Sequence, residues 1–192
     1  MAYLVLGLVL FLGVHSVRIV ADDWRSRTIA RIGEKPWKGV YTIVSLLGFV
    51  LIVWGFSQAR MAPVQLWSPP AGMRHLAWLL TWLAFVMLVA AYVPGNAIKA
   101  RLHHPMVLAV KTWALAHLLA NGNQAHVLLF GSFLLWAVFN FISARRRDRA
   151  GNVHYPPGRT VPTLVTVVLG TLAWAGFAMW LHGWWIGIRV MG

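Results

Sequence analysis

Long apolar stretches broken by short polar ones divide the chain into six runs, at residues 2–20, 39–56, 75–93, 106–120, 125–142 and 162–182. Each is close to the roughly 20 residues a helix needs to cross the hydrocarbon core. In lipid every backbone N–H and C=O must be satisfied within the segment, so runs of this kind predict helices. The expected fold class is all-α: a polytopic transmembrane helix bundle of about six helices. The fourth run is the shortest and the most polar, and a five-span bundle with that segment buried or re-entrant is the alternative. No internal repeat or low-complexity segment divides the chain, so residues 1–192 are read as one domain.

Composition agrees with the pattern. Of 192 residues, 59% are hydrophobic and 11% charged, where a soluble domain carries about a quarter charged residues. Most of the 12 tryptophans fall at run ends, as interfacial belts favour. The first run is read as a retained span: no basic segment precedes it, its charges follow it, and no small-x-small cleavage site closes it. Cleavage near Ala21 is the alternative.

Charge sets an orientation. Arg18, Arg25, Arg27, Arg31, Lys35 and Lys38 follow the first run. Lys99 and Arg101 follow the third, and Arg145, Arg146, Arg147, Arg149 and Arg159 the fifth. The other side carries only Arg60, Arg74 and Arg189. The positive-inside rule then places the odd loops in the cytoplasm and both termini outside. The net charge of +13 is read as contact with anionic headgroups, not nucleic acid.

The composition also excludes chemistry. The chain has no cysteine, so thiolate catalysis, thiolate haem ligation, disulfides and iron–sulfur clusters are ruled out. Its four carboxylates, Asp22, Asp23, Glu34 and Asp148, all fall in charged connecting segments, leaving no paired-carboxylate site or proton relay within the bilayer. "SARRRDRAGNVHYPPGRTVP" is read as a solvated connector and "MAPVQLWSPPAG" as a short loop on the far side.

The polar groups within the runs then need an explanation. His15 lies late in the first run and His117 late in the fourth, in "HHPMVLAVKTWALAHLLANGN". A neutral imidazole is the least costly ionisable group to bury, and a lone one often only hydrogen-bonds to a neighbouring helix. Two on different helices, without carboxylate or thiol nearby, point to axial ligation of a haem iron between facing helices. Zinc would need further ligands, of which His104 is one candidate. His104 and His117 are 13 residues apart, about 20 Å along a straight helix, and cannot share a metal without a bend. His104 is therefore expected at a headgroup, a propionate or a helix contact. Lys111, two turns along on a similar face, is expected to snorkel or to pair with a propionate or an acidic substrate. Asn121 and Asn123 read as turn residues. His75, His126 and His182 read as interfacial and His154 as a connector residue.

"HSVR" at residues 15–18, "KGVYTIVSLLGFVLIVWGF" at 38–56, "LWSPP" at 66–70 and the block beginning "HHP" together resemble the NnrU family of bacterial membrane proteins. The resemblance covers nearly the whole chain. That family is similar to the zeta-carotene isomerases, membrane proteins that bind haem b and use it in a redox-controlled cis–trans isomerisation. The resemblance implies haem b as cofactor, with His15 and His117 as axial ligands; His104, Lys111 and Arg18 are expected as further cofactor-binding residues. It also implies a link to denitrification and nitric oxide metabolism, with NO or a small apolar molecule as partner. The isomerases carry a cysteine three residues before the second histidine; Ala114 stands there, so a switch to thiolate ligation is impossible. Helix rise sets His15 about 9 Å and His117 about 20 Å from the same membrane face, so His15 with His104 is the second candidate pair.

Two functional classes compete. One is a haem protein with a redox or isomerase-like role. The other is a non-enzymatic assembly or regulatory factor for nitrite or nitric oxide reduction. A methyltransferase is disfavoured because "HHPMVLAV" lacks the Arg, Tyr and Gly of that pattern and no glutamate follows Glu34. A transporter is disfavoured because no intramembrane acid could couple an ion.

Overall fold

The structure, a computed structural model, describes residues 1–190. The chain is all-helical, as the apolar pattern predicts. Five helices are long and apolar enough to cross a membrane: α1 (Ala2–Val20), α3 (Glu34–Ala59), α4 (Met73–Tyr92), α7 (Gln124–Ala150) and a final segment, Thr160–Ile186. Between them lie α2 (Asp22–Ile32), α5 (Ala97–Leu102) and α6 (Pro105–Ala120). The final segment comprises α8 (Thr160–Gly176), a π-helical turn (Phe177–Leu181) and α9 (His182–Ile186). The 16 residues of α6 reach about 24 Å. Its start is tied to the end of α7 through His104 and Asp148, and its end meets the loop before α4, where the Leu66 and Trp67 amides donate to the Gly122 carbonyl. The short fourth run therefore runs from one end of the bundle to the other beside the five longer helices.

Small residues set the closest packing. α1 crosses α3 where Gly7, Gly48 and Gly55 replace side chains with backbone contact. A Cβ on Gly48 would stand 2.7 Å from the Phe11 amide nitrogen, one on Gly7 2.6 Å from that of Ile52, and one on Gly55 would collide with Leu4. Lipid chains are as apolar as leucine, so close packing and interhelical hydrogen bonds hold such helices together. Both devices join α4 to α8: Gly170 lies against Val86, Trp82 donates to Thr171 (2.9 Å) and Trp174 donates to Thr81 (3.1 Å). Leu4, Leu8, Ile52, Ala114, Leu129 and Phe130 form the buried core between α1, α3, α6 and α7.

The connectors carry more structure than hydropathy alone predicts. The segment after α1, read as a charged loop, forms the amphipathic helix α2, with Trp24 exposed. Part of the connector after the fifth run is also helical, because α7 continues through the arginines to Ala150. Arginine is a good helix former, and its charge favours a helix C-terminus, so the helix outlasts the apolar run. Asn96 caps α5. Its side chain accepts from the Lys99 amide (2.8 Å) and donates to the Ala90 and Val93 carbonyls (2.9 and 2.5 Å), and it is almost wholly buried. Asn96→Ala removes a cap and strands two buried carbonyls, and is expected to cost about 2 kcal/mol. Denaturant unfolding in detergent would read this as a lower midpoint with unchanged slope.

Candidate functional site

The bundle has a basic end, where α1, α4 and α7 finish and all four carboxylates lie, and an opposite end, where α3, α6 and the final segment finish. A cavity of about 550 Å³ opens at the opposite end between α3, α4, α6, α7 and the final segment. This is within the roughly 300–1,000 Å³ typical of ligand sites. Apolar side chains, many of them Phe or Trp, make most of its wall.

Its polar lining is one-sided in charge. His117, His126 and His182 line it, together with Arg60, Arg74 and Arg189, and no Asp or Glu does. The tight turn at 121–123 brings His117 and His126 to one level: one is three residues before the end of α6, the other two after the start of α7. Asn123 caps α7 by accepting from the His126 amide, and Asn121 donates to the His117 carbonyl (2.9 Å). Both are thus turn residues, as their spacing predicts. The π-helical turn adds one residue to the helical repeat just before His182.

The three imidazoles share one hydrogen-bonding arrangement. Nδ1 of His117 donates to the Trp113 carbonyl (2.9 Å), Nδ1 of His126 to the Asn123 side-chain oxygen (2.5 Å), and Nδ1 of His182 to the Ile188 carbonyl (2.7 Å). A carbonyl oxygen can only accept, so the proton sits on Nδ1. In the neutral ring Nε2 then keeps its lone pair, free to ligate a metal or accept a hydrogen bond. The rings of His117 and Phe130 stack at 4.4 Å, and His126 leans on the same Phe130 at 5.9 Å. Among the described residues no three His, Asp or Glu side chains converge to hold a metal ion by themselves.

Arg60 is the deepest-set cation. Its guanidinium lies 5.2 Å from the Phe56 ring centre and donates from Nη1 to the Ile186 carbonyl (3.1 Å). Its Nε is buried and lacks a partner among the described residues. A buried donor left unpaired is costly, so this atom is poised for an acceptor that a ligand would bring.

The other residues singled out in the sequence are spread over the bundle. His15 repeats the tautomer-fixing bond, with Nδ1 donating to the Phe11 carbonyl (2.6 Å), but it does not line the cavity. It stacks on Phe11, lies 5.1 Å from Tyr41 and meets Trp136 edge-on at 6.1 Å. Trp136 and Phe130, the α7 neighbours of His15 and His117, are six residues apart, about 9 Å along the helix. Phe11, Phe133 and Trp113 form an aromatic column between the two histidines. His15 and His117 have no aromatic neighbour in common. His104 lies at the basic end, its Nε2 2.7 Å from Asp148, near Arg18. Lys111 lies half-buried on α6 and lines neither this cavity nor the one at the basic end.

Sequence reading missed His126, His182, Arg60, Arg74 and Arg189 as site residues. Two signals pointed to them. The three arginines are the only Lys or Arg on their side and have no acidic partner there, and His126 follows a three-residue turn from the helix that carries His117.

These features define a polytopic helical membrane protein with a histidine- and arginine-lined cavity at one end. The chain belongs to the NnrU family: the model described as NnrU protein matches residues 3–190, as the motifs predict. No curated protein and no solved structure matches the chain.

Proposed function

We propose that this NnrU-family protein binds haem b in the cavity at the end opposite the arginine-rich loops, with His117 as an axial ligand, and uses it in redox or isomerase-like chemistry linked to nitric oxide metabolism. The observation that carries the reading is the meeting of three Nε2-free histidines with three arginines that have no acidic partner, in an aromatic-walled cavity of about 550 Å³. The donor set suits the cofactor. Imidazole ligates haem iron, guanidinium groups pair with propionates, and aromatic walls accept a macrocycle. Bound haem would supply one-electron chemistry and a site for NO.

The chain's own residues would do the rest. The Trp113 carbonyl holds the His117 proton on Nδ1 and fixes the ring's tautomer, and Phe130 holds its plane. Arg60 presents an unpaired Nε–H to an anionic group, and the apolar walls limit water. His126 and His182 line the same cavity and would be candidates for a second ligand. On this reading the basic end faces the cytoplasm and the cavity opens to the far side of a bacterial inner membrane. An assembly role in nitrite or nitric oxide reduction is the second functional reading, and it predicts a colourless protein.

Oxidised and reduced absorption spectra of protein purified in mild detergent from haem-supplied cells test this directly. A b-type spectrum is expected, and a colourless protein at full haem supply would overturn the assignment. Arg60→Gln is expected to weaken haem binding about tenfold, as loss of one charge-assisted bond to an anionic group does, read by titrating haem into the apoprotein.

A further inference from the structure

At the basic end a second cavity, of about 420 Å³, opens between α1, α6 and α7. Arg18, Arg147, His104 and Asn140 line it, with Asp148 on the same wall. Arg147 donates from Nη1 to the Arg18 carbonyl (3.3 Å) and to Ser143 Oγ (2.7 Å), which draws the side chain of one arginine to the backbone of another 129 residues away. No carboxylate lies within ion-pair distance of Arg147 among the described residues. Arg18 reaches only Asp22, at 3.9 Å, which Arg25 also approaches at 3.7 Å.

Asp148 makes no direct ion pair with either arginine and acts on Arg147 only at longer range. It already accepts from His104 Nε2 (2.7 Å), Arg145 Nη1 (3.3 Å) and the Tyr155 hydroxyl (3.1 Å). Burial and this bond to Asp148 push the Tyr155 phenol above its ordinary pKa, which keeps it a donor. The adjoining corner is strained. His103 has φ 66° and ψ −51°, and the His104 amide bonds back to the Leu102 carbonyl (2.8 Å). Tyr155, stacked on His103 at 4.1 Å, and Arg145 hold it in place. Such backbone is costly and persists only where its surroundings enforce it. Here it delivers His104 to the cavity wall.

We infer that this cavity binds a phosphate group, carried by an anionic lipid headgroup or a soluble phosphate. Two guanidiniums from different helices and the Asn140 amide supply donors for its oxygens, while His104 and Arg145 keep the carboxylate nearby occupied. The site stands apart from the histidine-lined cavity and does not depend on haem binding.

The full-length protein, delipidated in non-ionic detergent, would be titrated with phosphatidylglycerol, phosphatidylcholine or inorganic phosphate against chloride at equal ionic strength. Melting temperature is the readout. Stabilisation by phosphatidylglycerol and not phosphatidylcholine, at least tenfold weaker in Arg147→Gln and unchanged in the exposed α2 variant Arg27→Gln, identifies a lipid headgroup. The same pattern with inorganic phosphate identifies a soluble phosphate. Equal effects in Arg147→Gln and Arg27→Gln, or no preference for phosphatidylglycerol or phosphate over their controls, would overturn the inference. Should Arg147→Gln not fold, Arg18→Gln carries the same test, because that side chain is largely exposed.

Discussion

His117→Ala is expected to strip the protein of haem, lowering occupancy more than about tenfold, while His15→Ala leaves the spectrum in place. The two histidines look alike in sequence, and each bonds its Nδ1 proton to the carbonyl four residues earlier. They differ in what their Nε2 atoms can reach. His117 borders a cavity with three arginines, whereas His15 is packed among Phe11, Tyr41 and Trp136. Even the outer-shell partners of a ligating histidine are worth 10- to 100-fold in metal affinity, so loss of the ligand itself should cost at least that much. His126→Ala and His182→Ala, run beside these, would show which one holds the second axial position by converting a six-coordinate spectrum to a five-coordinate one. If His15→Ala bleached the protein and His117→Ala did not, the cofactor would have to sit in the basic half of the bundle.

Gly55→Leu is expected to abolish folding into the bundle, reducing the monodisperse fraction on size exclusion in detergent more than about tenfold. Gly55 lies against the backbone of Tyr3 and Leu4 where α1 crosses α3. A side chain there meets main chain, which cannot rotate away, so the helices must separate. Overpacking usually costs 1–3 kcal/mol when side chains can yield, and more is expected here. Parting α1 from α3 would also expose Leu4 and Leu8, which are buried in the core. Gly13→Leu is the control: on α1, the helix that Gly55 meets, a Cβ at Gly13 meets nothing within 4 Å, and stability should change little.

The helical crossings were legible because the bilayer leaves few choices for an apolar run of this length. α6 was legible in its bounds as well, because Pro105 suits a first helical turn and Asn121 to Asn123 suit a turn. The far end of α7 was not. Hydropathy measures transfer into lipid, whereas arginines extend a helix beyond the lipid at little cost. The helical α2 was missed for the same reason, since its stabilisation lies at an interface and not in a span.

By itself, the sequence determined the class of protein, its family and the chemistry it lacks. Run length and helix rise limit the crossings to five or six, and the absence of cysteine and intramembrane carboxylate is independent of folding. Only the tertiary structure decided which polar residues share a site. Periodicity along one helix gives the direction of a side chain but not what faces it across a helix contact, and that depends on crossings set by backbone-to-backbone approach at Gly7, Gly48 and Gly55. Those crossings separate His15 from His117 by an aromatic column. They also gather Arg60, His126 and His182, from three separate helices, around the cavity that His117 borders.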